Sequence, residues 1–99
     1  MTIRYTLESL SDLERLRTFI VEQNPVVARR IVDELKQGIH QLNNFPMLGI
    51  EVMNAPSAVN IRDLFITNYT VRYLVANTDI YILRIWHDRE DERNNTIYK

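Results

Sequence analysis

The sequence predicts an α+β fold in the order β-α-α-β-β-β, a helical hairpin packed on a small, mainly antiparallel sheet. Three observations predict it: a short alternating run at the N-terminus, two amphipathic stretches that meet at Asn24-Pro25, and three β-branched and aromatic runs joined by hairpin-length connections. Strands adjacent in sequence should pair antiparallel, with the helices on one sheet face and the other face left available.

Thr2 to Leu7 alternates, placing Ile3, Tyr5 and Leu7 on one side of a first strand. Ser11 and Glu14 have capping-box spacing, and Asp12 adds negative charge near a helix start; Leu13, Leu16 and Ile20 then share a helical face. Asn24-Pro25 ends this helix and opens the next, because proline disfavours helical geometry in the residue before it but fits the first helical turn. Val27, Ile31, Leu35, Ile39 and Leu42 follow the 3.6-residue period, and Asn43-Asn44-Phe45-Pro46 ends the second helix. Residues 47–58, with Gly49 and Asn54-Ala55-Pro56-Ser57, read as a loop. Three strands follow, at Val59–Ile66, Tyr69–Val75 and Ile80–His87, and then a charged tail, Asp88–Lys99.

The chain of 99 residues has room for one core, so a single domain over residues 1–99 is expected. Its 45% apolar and 25% charged residues suit a globular protein. It has no cysteine, which excludes disulfides, thiolate metal sites and a Cys nucleophile and favours a reducing compartment. No signal-peptide or membrane-spanning pattern is present, and a soluble, cytoplasmic protein with no membrane partner is expected. A net charge of −1 argues against wholesale electrostatic binding to nucleic acid.

Alternation assigns candidate site residues. Tyr69, Val71, Tyr73 and Val75 should face the helices, with Thr70, Arg72 and Leu74 opposite; in the last strand Ile80, Ile82, Arg84 and Trp86 share one face. Arg62, Arg72 and Arg84 would then form a row able to hold phosphate or an acidic partner, or to pair with Asp63, Asp79 and other carboxylates on a solvated surface. His87 is a candidate general acid or base at the strand end, weighed against a structural hydrogen-bonding histidine. His40, on the second helix, is expected at the surface. Two histidines far apart make no metal motif, and no metal site is expected. Glycine-rich phosphate loops and serine-nucleophile motifs are absent, and no cofactor is expected.

The run Asp12-Leu13 to Ile20, then Asn24-Pro25, Ala28, Ile39 to Leu42, Phe45-Pro46 and Gly49, resembles the helical half of the RelE/ParE toxin superfamily. Arg62, Tyr69, Tyr73 and Ile82-Leu83-Arg84-Ile85-Trp86-His87-Asp88-Arg89 resemble its strand half, and the resemblance spans roughly residues 3 to 93, closest to the ParE, or plasmid-stabilisation, branch. It implies the toxin of a bacterial type II toxin–antitoxin module, neutralised by an antitoxin whose C-terminal segment wraps it. ParE toxins poison DNA gyrase, whereas RelE toxins cut mRNA on the ribosome with basic residues and a C-terminal tyrosine. Of that basic set, the lysine positions here hold Ile61 and Asp63 and the arginine after the hairpin is Thr70, while Arg89 is kept and Tyr98 stands near the tyrosine position.

These substitutions favour a ParE-like toxin that binds gyrase, with Arg84, Trp86 and Arg89 as target-binding residues and no direct sequence-specific DNA binding. The alternative is a ribosome-dependent endoribonuclease using Arg62, Arg72, His87 and Arg89; a further one is a decayed, non-toxic antitoxin-binding module. Antitoxin contact is expected at exposed apolar residues around the hairpin and sheet edge, among them Leu16, Phe19, Leu35 and Trp86.

Overall fold

The computed structural model describes residues 1–56 and 59–90. Its elements are β1 (Thr2–Tyr5), α1 (Leu7–Gln23), α2 (Pro25–His40) with a 3-10 turn at Gln41–Asn43, β2 (Ile50–Glu51), β3 (Asn60–Ile66), β4 (Tyr69–Val75) and β5 (Asp79–His87). They make two helices on a five-stranded sheet of order β1-β5-β4-β3-β2. β1 runs parallel to β5, and the other pairings are antiparallel.

The first helix begins earlier than the capping-box spacing predicts. Thr6 is its N-cap, with Oγ1 accepting from the Ser9 N–H at 3.1 Å while the buried Ser9 Oγ donates to the Thr6 carbonyl. Thr6 Oγ1 also donates to the Ile82 carbonyl, at 2.8 Å, so one side chain starts the helix and ties it to β5. Leu7 therefore lies in the helix and not in the strand, and it is 82% exposed. Asn24 closes α1 and caps α2, accepting the N–H groups of Val26 and Val27, with Pro25 at the first helical position as expected.

The apolar stripe of α2 is buried as its period predicts: Leu35, Ile39 and Leu42 are at most 1% exposed. Each such side chain stabilises the fold by about 1.5–3 kcal/mol through burial. They pack with Leu16 and Ile20 of α1 on Val71, Tyr73, Ile80, Ile82 and Ile85 of the sheet.

Three strand expectations are corrected. The loop read over 47–58 contains β2, whose Ile50 and Glu51 pair with Asp63 and Arg62. The uniform alternation of β5 is broken by a bulge, because β4 partners step from Ile82 opposite Tyr73 to Arg84 opposite Arg72. Leu83 is the extra residue, which lets Ile82 and Ile85, three apart, both reach 0% exposure in the core; Arg84 and Trp86 thus do not share a face with Ile80 and Ile82. The sheet face away from the helices is also not open at its centre, since Thr70, Arg72 and Trp86 are all buried. Within the expected charged tail, residues 91–99 lie outside the described residues.

Candidate functional site

The end of β5 is held by side chains in place of a neighbouring strand. β1 pairs with β5 only as far as Tyr5 opposite Ile82, which leaves the backbone of Ile85 without a strand partner on that side. α1 supplies one: Asp12 Oδ2 accepts the Ile85 N–H at 2.9 Å, and Arg15 Nη2 donates to the Ile85 carbonyl at 3.2 Å. Asp12 is 4% exposed and also takes Arg84 Nε at 2.8 Å and Arg84 Nη2 at 3.0 Å. That hydrogen-bonded pairing with Asp12 outweighs desolvation and raises the Arg84 guanidinium above its ordinary value, keeping it charged.

Beyond Arg84 the chain turns back on itself. Glu90 Oε1 accepts the His87 N–H, the Glu90 N–H donates to the His87 carbonyl, and Glu90 pairs with Arg15 of α1. The Arg89 N–H donates to His87 Nδ1 at 3.0 Å. With Nδ1 occupied as an acceptor, the neutral imidazole carries its proton on Nε2 and has no lone pair left for a base. The ring stands edge-on to Tyr69, centroids 5.0 Å apart. Burial, with a smaller contribution from the charge of Glu90, pushes the Tyr69 phenol above its ordinary value.

This turn and α1 border a cleft of about 590 Å³. Leu16, Phe19 and Ile20 line one side, and Tyr69, His87 and Arg89 the other, with Arg15 and Glu90 at the junction. Phe19 is 62% exposed, and the Arg89 guanidinium pairs with no carboxylate among the described residues.

The expected arginine row does not form. Register places Arg62 opposite Tyr73, while the cross-strand line is Asp63, Arg72, Arg84. Arg72 is 3% exposed, joined to Asp63 by two hydrogen bonds of 2.9 and 3.0 Å, with its guanidinium 5.0 Å from the centre of the Trp86 ring. Arg62 instead donates to the Gly49 carbonyl at 2.8 Å and to Asn60 Oδ1, holding the loop before β2. Pairing with Asp63, part of the other reading, is found for Arg72, but buried and not on a solvated surface, while Asp79 pairs with Arg4, outside the expected row.

Of the four apolar residues expected to be exposed, Leu16, Leu35 and Trp86 are buried and only Phe19 stands on the surface. The cleft brings Leu16 and Phe19 together with His87 and Arg89, whereas Arg62, Arg72 and Leu35 are not among its lining residues. Sequence reasoning missed Arg15 and Glu90, which orient the turn, and took Asp12 for a helix-end charge. A buried carboxylate in a first helix facing an arginine far along the chain has no local signature. His40 is at the surface, as expected.

Compared with known proteins, the chain falls in one class: a family model described as the ParE toxin of the type II toxin–antitoxin system parDE matches residues 3–92. Two toxins of Caulobacter vibrioides are similar to it. RelE2 is 30% identical over 84 residues, 84% of this chain and 90% of its own length; RelE1 is 26% identical over 89 residues, 90% and 95%. A solved structure, the chromosomal ParDE toxin–antitoxin system from P. aeruginosa, has the same fold, with a TM-score of 0.70 at 21% identity over 88% of this chain and 95% of that one. The chain belongs to the ParE toxin family of type II toxin–antitoxin systems, within the RelE/ParE superfamily.

Proposed function

We propose that this toxin arrests growth in the cytoplasm by binding and poisoning DNA gyrase, without chemistry of its own, and that its cognate antitoxin neutralises it. The observation that supports this reading is the pairing of its arginines. Arg72 is paired with Asp63 and Arg84 with Asp12, so neither of these two arginines stands as an open cation for a phosphodiester backbone. Arg89, at the rim of the cleft, is the arginine best placed to contact a macromolecular target, while Arg84 and Trp86 support the strand that carries it.

Purified toxin should raise the amount of gyrase-trapped cleaved DNA in a supercoiling assay. Unchanged supercoiling and cleavage across a wide toxin range would sink the reading.

The names of the two Caulobacter relatives favour a RelE-like ribonuclease as the second reading. It requires Arg62, Arg72, His87 and Arg89 to converge on one phosphate. Register separates Arg62 from Arg72, and His87 has no free lone pair in its neutral form. Mapping mRNA ends after induction decides between the two, since new cuts within codons would establish the ribonuclease.

A further inference from the structure

We infer that free copies of this chain assemble head to tail, the sheet edge at β2 of one copy docking on the sheet edge at β1 of the next. The strand order β1-β5-β4-β3-β2 sets those two edges about 19 Å apart, so they meet only between molecules. Both edges have backbone to offer. Thr2 and Thr6 donate their N–H groups toward β5, to the Thr78 and Ile82 carbonyls, and alternation then turns those of Ile3 and Tyr5 outward. On the other side Val52 donates to the Ile61 carbonyl, which turns the N–H of Glu51 outward. Among the described residues no further strand covers either edge, and an uncovered edge is a template for another chain.

Beside each edge lies an apolar groove, and the two grooves carry opposite charge. The one at β1, of about 580 Å³, has Ile3, Leu10 and Leu13 in its walls and Lys36 as its one side chain of fixed charge. Lys36 is exposed and pairs with no carboxylate among the described residues. The one at β2, of about 620 Å³, has Leu48, Ile50 and Phe65 in its walls, and its charged side chains are Glu34 and Asp63. Glu51 stands next to Ile50 with its side chain 78% exposed, whereas the arginines on this side, Arg62 and Arg72, show only 17% and 4% of theirs. The surface that a partner meets there is negative.

Charge selects the symmetry of the contact. A two-fold dimer joins like edges, and would set Lys36 against Lys36 or Glu34 and Glu51 against their own copies, which is repulsive. A head-to-tail contact sets Lys36 against those carboxylates and covers Leu10, Ile50 and Phe65, each about half exposed or more in the single chain. Such a contact is heterologous, so it closes into a ring or extends as an open chain. Neither groove shares a lining residue with the cleft that carries Arg89, and the assembly is independent of the gyrase reading.

Sedimentation velocity of the purified full chain, freed of antitoxin, tests this. At low salt the mass should rise with concentration to at least twice that of one chain, and added salt should lower it. Leu10→Glu in the β1 groove, Ile50→Lys in the β2 groove and Lys36→Glu should each hold the chain as a monomer, with urea midpoints unchanged because all three positions are exposed. Val26→Asp, which lies in neither groove, should assemble like the wild type. An equal mixture of the Leu10→Glu and Ile50→Lys chains keeps one intact junction and should stop at two chains. Three results would each overturn the proposal. A monomer at every concentration leaves the grooves to another protein, a dimer that either variant still forms alone means a two-fold contact, and a mass that grows with salt means unspecific apolar association. Gyrase enters none of these readouts, so the target reading and this one fail separately.

Discussion

Asp12 and Ile85, 73 residues apart, form the hydrogen bond that continues the sheet where β1 ends: the carboxylate Oδ2 accepts the Ile85 N–H at 2.9 Å. The same carboxylate neutralises Arg84, so one side chain satisfies a buried backbone donor and a partly buried cation. Asp12→Ala leaves both without a partner. Removing one member of a buried pair costs about 3–5 kcal/mol, and the lower end applies here because Arg84 keeps some solvent contact. Urea unfolding should show that loss, with Asp12→Asn intermediate because its amide oxygen can still accept the Ile85 N–H.

Tyr73, fully buried, accepts the Gly49 N–H and donates to the Pro46 carbonyl, both at 2.8 Å. Gly49 is needed for closeness and not for an unusual φ, since a Cβ there would lie 2.8 Å from the Asp63 carbonyl oxygen and from the tyrosine ring. Tyr73→Phe should lower stability by about 1–3 kcal/mol by stranding the buried Gly49 N–H and the partly buried Pro46 carbonyl. Hydrogen exchange should show faster opening at Gly49 and across β2 than in the wild type.

Burial raises the phenols of Tyr73 and Tyr69 above their ordinary value of 10.0. Above pH 10 the unfolded chain releases these protons first, so it holds fewer than the native state and stability falls as pH rises. Their contribution is complete below pH 10 and is lost through the raised native values. The urea midpoint should decline in that alkaline window, and less steeply in Tyr69→Phe than in the wild type.

Thr67 adopts φ 56° in the two-residue turn between β3 and β4, a left-handed conformation that a β-branched residue rarely takes. Its hydroxyl makes only an exposed 3.3 Å contact to Glu34. Thr67→Gly should stabilise the protein by about 0.5–1 kcal/mol, visible in a small domain as a rise of a few degrees in Tm. An unchanged or lower Tm would mean that the turn tolerates threonine without strain.

The non-catalytic reading separates two neighbours in the cleft. His87→Gln should leave growth arrest intact, because no proton transfer is asked of the ring. Arg89→Ala should raise the inducer level needed for arrest by about tenfold, the effect of losing one exposed charged contact with the target. Serial-dilution growth assays measure both, and loss of arrest in the histidine variant alone would favour the ribonuclease.

Sequence by itself determined the element order and most of the core. Strand and helix periods of about 2 and 3.6 residues are properties of the local backbone, so Val71, Tyr73, Ile39 and Leu42 could be assigned inward from their spacing. Asn24-Pro25 was equally legible, because its capping and its proline constraint act within a few residues. Tertiary structure alone decided β2, which has two residues and no period of its own and exists because β3 offers it an edge. It also decided the phase of β5, where a continuous apolar run from Ile80 to Ile85 hides the bulge at Leu83. The register of β3 on β4 put Arg72 opposite Asp63 and Arg62 opposite Tyr73, so the row expected from alternation became an internal ion pair. Arg84 found Asp12 across 72 residues because β1 stops at Tyr5 and leaves an edge for α1 to fill. Such pairings depend on which edges and charges the assembled sheet leaves unsatisfied, and no local pattern in the chain carries that information.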